Sequence, residues 1–217
     1  MKLTLLGATG SVGRELVTQA LSAGHTVTVL VRNPDKLGDL RARVTIVQGD
    51  VTDPAVVDRA IAGADAVLST LGHTKASPRD IFALAISHTI TAMHRHGVQR
   101  LVVLANTGVS NAEDQPTLGQ RLLRALMGLT MAQANQDHAA QARLIADSGL
   151  DWTIVRAALL SNGPHSGKYR VGKLDRTAGS RIARADVADF MLACATEDKY
   201  IHSMPVISQG RNDNDSI

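Results

Sequence analysis

Six short apolar runs recur along the chain, and their hydrophobic residues do not alternate with polar ones. Strands that are buried on both faces of a parallel sheet have this pattern, whereas half-exposed strands alternate. We therefore predict buried parallel strands at Lys2–Leu6, Thr26–Val31, Val44–Gln48, Ala66–Ser69, Leu101–Ala105 and Trp152–Arg156.

Helical stretches separate these runs. The predicted helices are Ser11–Ala23, Pro34–Leu40, Pro54–Ile61, Asp80–His96 and Met131–Ser148. Gly24, Gly97 and Gly149 each follow a helix directly, as glycines at helix C-termini do. Strands that alternate with helices favour a Rossmann-like α/β fold, a doubly wound parallel sheet with helices on both faces.

The alternation of predicted strands and helices ends after Arg156. Residues 161–179 are rich in glycine and polar groups, and a helix at Arg184–Ala195 and an apolar stretch at Met204–Ile207 follow. We expect one domain over 1–217, in which 157–208 form a small lobe at the C-terminal edge of the sheet. The polar residues 209–217 should form a mobile tail.

Composition narrows the function classes. Of the 217 residues, 44% are hydrophobic and 2% aromatic, and the net charge is +3. So few aromatic residues disfavour single-stranded nucleic-acid binding by base stacking. The one cysteine, Cys194, excludes an intrachain disulfide and a multi-cysteine zinc site, which favours a cytoplasmic protein with a buried, inert thiol. No apolar run approaches the roughly 18 residues of a membrane span, and the histidines lack metal-ligand spacing.

The segment GATGSVG at 7–13 lies between the first predicted strand and the first predicted helix. In such a turn Gly7 allows a tight bend, Gly10 lets the backbone approach a pyrophosphate, and Gly13 lets the helix pack closely. Backbone N–H groups at the helix start, from Ser11 and Val12 onward, can bind phosphate, and the hydroxyls of Thr9 and Ser11 can assist. The segment predicts a dinucleotide site; the alternative is a tight turn without a ligand.

The end of the second strand distinguishes the two nicotinamide dinucleotides. An NAD site carries an acidic residue about 20 residues past the glycines to bind the ribose 2′-hydroxyl. Here that place holds Arg32, with Lys36 one helical turn on. A guanidinium matches a 2′-phosphate, so NADP(H) is the expected cofactor. The alternative is a pair of solvated basic side chains.

Two further strand ends belong to the same edge, because ligands of open α/β sheets bind at the carboxyl ends of the strands. The third strand is followed by Asp50 and Val51, which we expect near the adenine. The fourth is followed by Leu71 and Gly72, which we expect near the adenosine ribose and the phosphates. Asp50 could instead cap the helix that starts at Pro54.

Several segments together resemble a known family. GATGSVG, VTVLVRNPDKL, QGDVTD, DAVLSTLG and SGLDWTIVR are similar to the atypical short-chain dehydrogenase/reductases with an NmrA-like fold. Within that family the chain resembles the biliverdin-IXβ reductases, also called flavin reductases, nearly end to end. The resemblance implies an NADPH-dependent oxidoreductase that passes hydride to a flavin, with a linear tetrapyrrole as a second candidate acceptor. Flavin would then be a substrate and not a bound prosthetic group.

The same resemblance assigns site residues. It implies that Ala105, Asn106 and Thr107 lie beside the nicotinamide, with Thr107 in the place of a serine. His138 would lie on the helix that faces the nicotinamide, although a surface histidine is the alternative. The segment from Arg156 and Ala157 would form one wall of the acceptor pocket. Thr107 and His138 are the candidate catalytic residues.

The segment YRVGK at 169–173 has the Tyr-x-x-x-Lys spacing of typical short-chain dehydrogenases. In those enzymes the pair lies on the helix after the fifth strand, whereas Tyr169 follows the sixth among glycines. We therefore predict a hairpin here and no catalytic pair.

Two other functions stay open at this point, a non-catalytic NADP(H)-sensing regulator of the NmrA type and a quinone reductase. The regulator would control a partner protein. For the reductase we expect a small-molecule acceptor as partner, no nucleic acid and no membrane, and a monomer or weak homo-oligomer.

Overall fold

The computed structural model describes residues 1–73, 77–119 and 132–209, with only the backbone for 132–135. All six predicted strands are present, each within one residue of its expected ends. They are β1 Lys2–Leu6, β2 Thr26–Val31, β3 Thr45–Gln48, β4 Ala66–Ser69, β5 Arg100–Asn106 and β6 Asp151–Ala157. The helices are α1 Ser11–Ser22, α2 Pro54–Ile61, α3 Ile81–His96, α4 Ala132–Ala146 and α5 Arg184–Thr196.

The predicted helix at Pro34–Leu40 is instead a 3₁₀ segment, Pro34–Arg43. Gly38 interrupts it with a φ of 57°, outside the helical region. Asn33 begins the segment by accepting a hydrogen bond from the backbone N–H of Asp35. A glycine in this conformation explains why no regular α-helix forms.

One eight-stranded sheet organises the chain. Two later strands, β8 Tyr169–Gly172 and β10 Val206–Gln209, belong to it. The strand order is β3-β2-β1-β4-β5-β6-β10-β8, and every neighbouring pair is parallel except β10 and β8. The strand order reverses between β1 and β4, which is where a doubly wound sheet forms a ligand crevice. The predicted Rossmann-like fold is confirmed.

Each face of the sheet buries its own hydrophobic cluster. On one face, α1 and α5 pack together through residues such as Leu16, Val17 and Met191. On the other, α2 and α3 contribute residues such as Val57 and Met93. The helices thus cover both faces, as buried strands without polar alternation require.

Cys194 lies on α5 in the first cluster and is fully buried, as predicted. Burial raises the pKa of its thiol to about 12, so the thiolate is strongly disfavoured at neutral pH.

The segment after β6 contributes to two sheets. β7 Leu159–Ser161 pairs with β9 Arg181–Ala183 in a small parallel sheet. β8 Tyr169–Gly172 and β10 Val206–Gln209 extend the main sheet.

Two predictions in this segment are wrong. β8 pairs with β10 and forms no local hairpin, because its ladder partner lies more than 30 residues further along the chain. Gln209 belongs to β10 and not to a tail. The other residues of the expected tail, 210–217, lie outside the described residues.

The part of the chain that the structure describes contains neither a membrane-spanning helix nor a metal-binding cluster. None of its helices is both long and apolar enough to cross a membrane. The same residues contain no group of three or more His, Cys, Asp or Glu side chains that could hold a metal ion.

Candidate functional site

The turn between β1 and α1 lies against the end of β4. Gly7 has a φ of 85°, and a Cβ there would come within 2.9 Å of backbone atoms of Thr70 and Leu71. The Thr70 hydroxyl also donates a hydrogen bond to the Gly7 carbonyl oxygen, at 3.2 Å. Glycine at this position therefore lets the turn contact the β4 end directly.

Gly13 and Gly10 face different surroundings. A Cβ on Gly13 would lie 2.2 Å from the carbonyl oxygen of Gly7, so this glycine lets α1 pack on the turn. Among the described residues, a Cβ on Gly10 would meet one atom within 4 Å, that same oxygen, at 3.3 Å. The structure therefore leaves space beside Gly10.

Gly10 is also the N-cap of α1, and no side chain caps the helix there. The first backbone N–H groups of a helix have no partner within the helix, and the helix dipole makes this end positive. Ser11 is exposed, Thr9 is half-buried and Val12 is buried beneath the turn. This space and these donors fit a pyrophosphate.

Of the two predicted basic residues, Arg32 directly follows β2 and Lys36 lies in the 3₁₀ segment Pro34–Arg43; both are exposed. The guanidinium Nη1 of Arg32 lies 3.8 Å from Oδ2 of Asp50. The Lys36 carbonyl oxygen accepts a hydrogen bond from Nη1 of Arg14 on α1, at 2.8 Å. Arg14 thereby joins the segment that carries Lys36 to the helix that begins at the glycine turn. Sequence reasoning did not single out Arg14.

Asp50 does not cap α2, because Asp53 does so by accepting a hydrogen bond from the backbone N–H of Ala55. Instead Asp50 accepts from the backbone N–H and the hydroxyl of Thr52, at 3.0 and 2.9 Å. Val51 beside it is almost fully buried. Both residues stay at the strand end where we predicted an adenine site.

Leu71 and Gly72 follow β4 at the same edge. Leu71 packs against the second hydrophobic cluster, and Gly72 is exposed. They stand next to the glycine turn because β4 pairs directly with β1.

The ends of β5 and β6 bring four predicted residues together. In the ladder Ala105 pairs with Arg156, and Asn106 pairs with Ala157. Ala105 and Ala157 are buried, whereas Asn106 is half-buried. The Asn106 side-chain oxygen accepts a hydrogen bond from the backbone N–H of Gly108, at 2.8 Å, and so shapes the turn that contains Thr107.

His138 on α4 is buried and is not a surface residue, which excludes that alternative. Its ring stacks on Phe82 of α3, with centroids 4.1 Å apart. Burial lowers the pKa of His138, against the opposing effects of a hydrogen bond to Gln141 and the charge of Asp137. The imidazole is therefore neutral at neutral pH.

A second histidine, His73, contacts Phe82 in an edge-to-face arrangement, with ring centroids 4.3 Å apart. Its Nε2 lies 3.5 Å from Oδ2 of the buried Asp137. The carboxylate of Asp137 also accepts hydrogen bonds from the backbone N–H groups of Phe82 and Ala83, both at 2.9 Å, and so fixes the start of α3. Sequence reasoning missed this cluster, because only folding brings the two helices together.

Arg156 has a different place from the one we expected. Its side chain is fully buried, and two of its nitrogens bind the carboxylate of Asp114, at 2.6 and 2.8 Å. It also donates to the backbone oxygens of Val109 and Met204. A side chain with no exposed surface cannot contact an acceptor. Instead, Arg156 anchors the loop after β5, which carries Thr107.

Tyr169 and Lys173 do not form a catalytic pair on a helix. The Tyr169 hydroxyl on β8 donates a hydrogen bond to Asp189 of α5, at 2.7 Å. Burial and this partner raise the pKa of Tyr169. Lys173 pairs with Glu113, at 3.3 Å.

Comparison with known proteins shows the family to which the chain belongs. The model of a family described as NAD(P)H-binding matches residues 7–198. The (4-alkanoyl-5-oxo-2,5-dihydrofuran-3-yl)methyl phosphate reductase of Streptomyces griseus is 31% identical over 193 residues, covering 88% of this chain and 57% of that protein. The chain thus spans little more than half of that relative's length.

Two solved structures share the fold. The anaerobillin reductase ChuY from Escherichia coli O157:H7 has a TM-score of 0.81 at 22% identity, over 96% of this chain and 97% of that one. A short-chain dehydrogenase/reductase from Veillonella parvula in complex with NADP has a TM-score of 0.79 at 17% identity, over 96% and 94%.

Proposed function

The chain belongs to the NAD(P)H-binding family, and on that premise we propose that it is an NADPH-dependent reductase of a small conjugated acceptor such as a flavin. The observation that carries the proposal is the turn at 7–13. Gly7 and Gly13 are required by the surrounding backbone, whereas a Cβ on Gly10, at an uncapped helix start, would meet one atom of the described residues within 4 Å, the Gly7 carbonyl oxygen at 3.3 Å. That combination fits the pyrophosphate of a dinucleotide.

Arg32 supports NADPH over NADH. Its distance of 3.8 Å to Asp50 is too long for a hydrogen bond, and the two side chains are 57% and 39% exposed. Such an exposed pair contributes little to stability. The guanidinium therefore has donors available for a 2′-phosphate, to which it can bind in a bidentate way.

A bound NADPH supplies a hydride, and the chain supplies position. The carboxyl ends of β5 and β6 are paired, and they carry the short side chains of Ala105, Asn106 and Ala157. We propose that the nicotinamide lies against these residues. The buried pair of Arg156 and Asp114 holds the following loop, and with it Thr107. Fixed placement of two reactants is itself a large part of catalysis.

The proposed acceptor follows from the acid groups available. The Thr107 hydroxyl and the neutral His138 imidazole are the groups that we place near the nicotinamide, and neither is a strong acid. A flavin needs none, because it accepts the hydride at N5 and can take a proton at N1 from water. The reductase names of two relatives support a reduction of a small molecule, and the resemblance to the biliverdin-IXβ reductases supports a flavin or a related conjugated acceptor.

The test is turnover with a panel of acceptors. Purified protein is mixed with NADPH and with FMN, FAD, riboflavin, a quinone or biliverdin, and the absorbance of the reduced nicotinamide is followed. We expect the fastest loss of absorbance with a flavin, and a slower reaction when NADH replaces NADPH. If NADPH binds tightly but no acceptor is reduced, the chain is not a reductase of this class and the sensing function replaces it.

A further inference from the structure

A basic residue from the far end of the chain reaches the glycine turn. Arg184 is the first residue of α5, and its Nε donates a hydrogen bond to the hydroxyl oxygen of Ser11, at 3.0 Å. Its Nη1 donates to the side-chain oxygen of Asn162, at 2.6 Å. Ser11 is the first residue of α1, so this guanidinium lies at the helix start that the proposed function gives to phosphate.

The packing of two helices fixes this position. α5 lies along α1 on the same face of the sheet, and both bury apolar side chains in one cluster. The Gln19 side chain on α1 donates a hydrogen bond to the carbonyl oxygen of Ala185, at 2.9 Å. The backbone beside Arg184 is therefore tied to α1, and the guanidinium does not depend on a flexible loop to reach Ser11.

The hydrogen-bond partners of Arg184 are neutral. Among the residues that the structure describes, none of the ion pairs within 4.0 Å includes Arg184, whereas Arg156 is paired with Asp114. The nearest acid along α5, Asp186, is occupied by Ser166 and Gly167. A guanidinium held by a hydroxyl and an amide keeps its full positive charge for an anion.

We propose that Arg184 binds the pyrophosphate of the dinucleotide, an inference that rests on the proposed function. Its charge adds a side-chain contact to the backbone donors of α1. Through Asn162, which follows β7, Arg184 also connects the cofactor site to the segment after β6, where we expect the acceptor. Arg32 and Arg184 thus have separate tasks, the first on the 2′-phosphate and the second on the pyrophosphate.

A comparison of the two cofactors distinguishes the roles of Arg32 and Arg184, because NADPH and NADH share the pyrophosphate and differ in the 2′-phosphate. Dissociation constants for both are measured by titration with the parent, Arg184→Ala and Arg184→Lys. Arg181→Ala serves as the control, since Arg181 is an exposed arginine three positions earlier on β9. Thermal unfolding without cofactor checks that each variant is folded.

Arg184→Ala should weaken NADPH and NADH by the same factor, roughly ten- to a hundredfold, the usual effect of losing a hydrogen bond to a charged group. Arg184→Lys should lose less affinity for both cofactors, because lysine keeps the positive charge but lacks the planar guanidinium group. Arg181→Ala should bind as the parent does. The lysine variant also keeps the test valid if the alanine variant unfolds.

Three results would overturn the proposal. If both Arg184 variants are folded and bind both cofactors like the parent, Arg184 is not a ligand of the pyrophosphate. A loss confined to NADPH would place Arg184 on the 2′-phosphate instead. If the parent itself binds neither cofactor, the proposed function fails and this inference fails with it.

Discussion

Each glycine of the first turn faces a different neighbour. Gly7 and Gly13 lie so close to backbone atoms that a Cβ on either would collide with them, at 2.8 and 2.2 Å. Packing alone accounts for these two. Within the part of the chain that the structure describes, Gly10 meets no backbone atom that closely, and we propose that a ligand explains this glycine.

Arg32 is the residue that should determine the choice between cofactors. Arg32→Ala is expected to weaken NADPH binding by about 1.5–3 kcal/mol, the typical loss for a hydrogen bond to a charged group. NADH binding should change little, because NADH lacks the 2′-phosphate. Titration of both cofactors into both proteins measures the difference. Equal losses for the two cofactors would show that Arg32 does not bind the 2′-phosphate.

Thr107 and His138 should position the acceptor and not protonate a flavin. Burial lowers the pKa of His138 below its ordinary value of roughly 6.5. At neutral pH the imidazole is therefore neutral, and a neutral imidazole is a poor proton donor. Thr107→Val and His138→Ala should each lower kcat/KM for FMN by no more than about tenfold. For an acceptor that requires protonation the loss should be larger, roughly 100- to 10,000-fold.

The comparison is kcat/KM with FMN and with biliverdin, at saturating NADPH, for the parent and both variants. If either variant abolishes FMN reduction while its affinity for NADPH is intact, a positioning role is insufficient and the residue takes part in the chemistry.

At the scale of elements, a buried ion pair connects β6 to the loop after β5. Arg156 is fully buried and Asp114 is 5% exposed. Asp114→Ala would leave the guanidinium buried without its carboxylate, which costs about 3–5 kcal/mol of unfolding free energy. Denaturant unfolding of both proteins measures this loss. A difference below about 1 kcal/mol would mean that the pair does not hold the loop.

The same pair gives the stability a pH dependence. Burial opposes ionisation of Asp114, but the hydrogen bonds and charge of Arg156 outweigh it and lower the pKa of Asp114 below its ordinary value. A carboxyl whose pKa is lower in the folded state stabilises the fold above its unfolded pKa, roughly 3.9. That contribution should disappear as the pH falls from about 4 through the folded pKa, and the Asp114→Ala variant should lack this part of the acid sensitivity.

Tyr169 belongs to β8, where its hydroxyl holds α5 through Asp189. Tyr169→Phe should lower stability by about 1 kcal/mol, the usual value of one hydrogen bond. Turnover should stay within a few-fold of the parent. A loss near the ~100- to 10,000-fold typical of a missing general acid would mean that the Tyr-x-x-x-Lys spacing is functional after all.

Elements with a local signal could be predicted from the sequence, and elements defined by distant pairing could not. The strands β1 to β6 are short apolar runs, three of them preceded by a glycine that ends a helix, so their positions followed from nearby residues. β8 is polar and flanked by glycines, and only its pairing with β10 makes it a strand.

The residues of the site also fall into those with a local sequence signal and those defined by a distant partner. Gly7, Gly10, Gly13 and Arg32 could be predicted as cofactor residues because their spacing is itself the signal for a dinucleotide, and these roles stay predictions. The role of Arg156 depends on Asp114, 42 residues away, and the contact of Arg184 with Ser11 spans 173 residues. No local pattern records such pairs.

At the scale of the whole molecule, the strand order brings together site residues that are distant in the sequence. The ends of β1, β4, β5 and β6 lie side by side, and the segment from α5 closes on the first turn. Because these parts meet only in the folded protein, a dinucleotide that binds across them must stabilise the whole fold. At a hundred times its dissociation constant the gain is about 2.7 kcal/mol, which raises the unfolding temperature by roughly 5–10 °C.

Thermal unfolding with and without NADPH, for the parent and Gly10→Ala, tests the central claim most directly. Gly10 has a φ of −73°, which alanine adopts readily, and the new methyl group would lie 3.3 Å from the Gly7 carbonyl oxygen at the N-cap of α1, so without cofactor the variant should lose about 1 kcal/mol of stability or less and still fold. NADPH should raise the unfolding temperature of the parent and leave that of Gly10→Ala nearly unchanged, because the added methyl group fills the space for the pyrophosphate. An equal rise in both proteins, or none in the parent, would contradict a dinucleotide site at this turn.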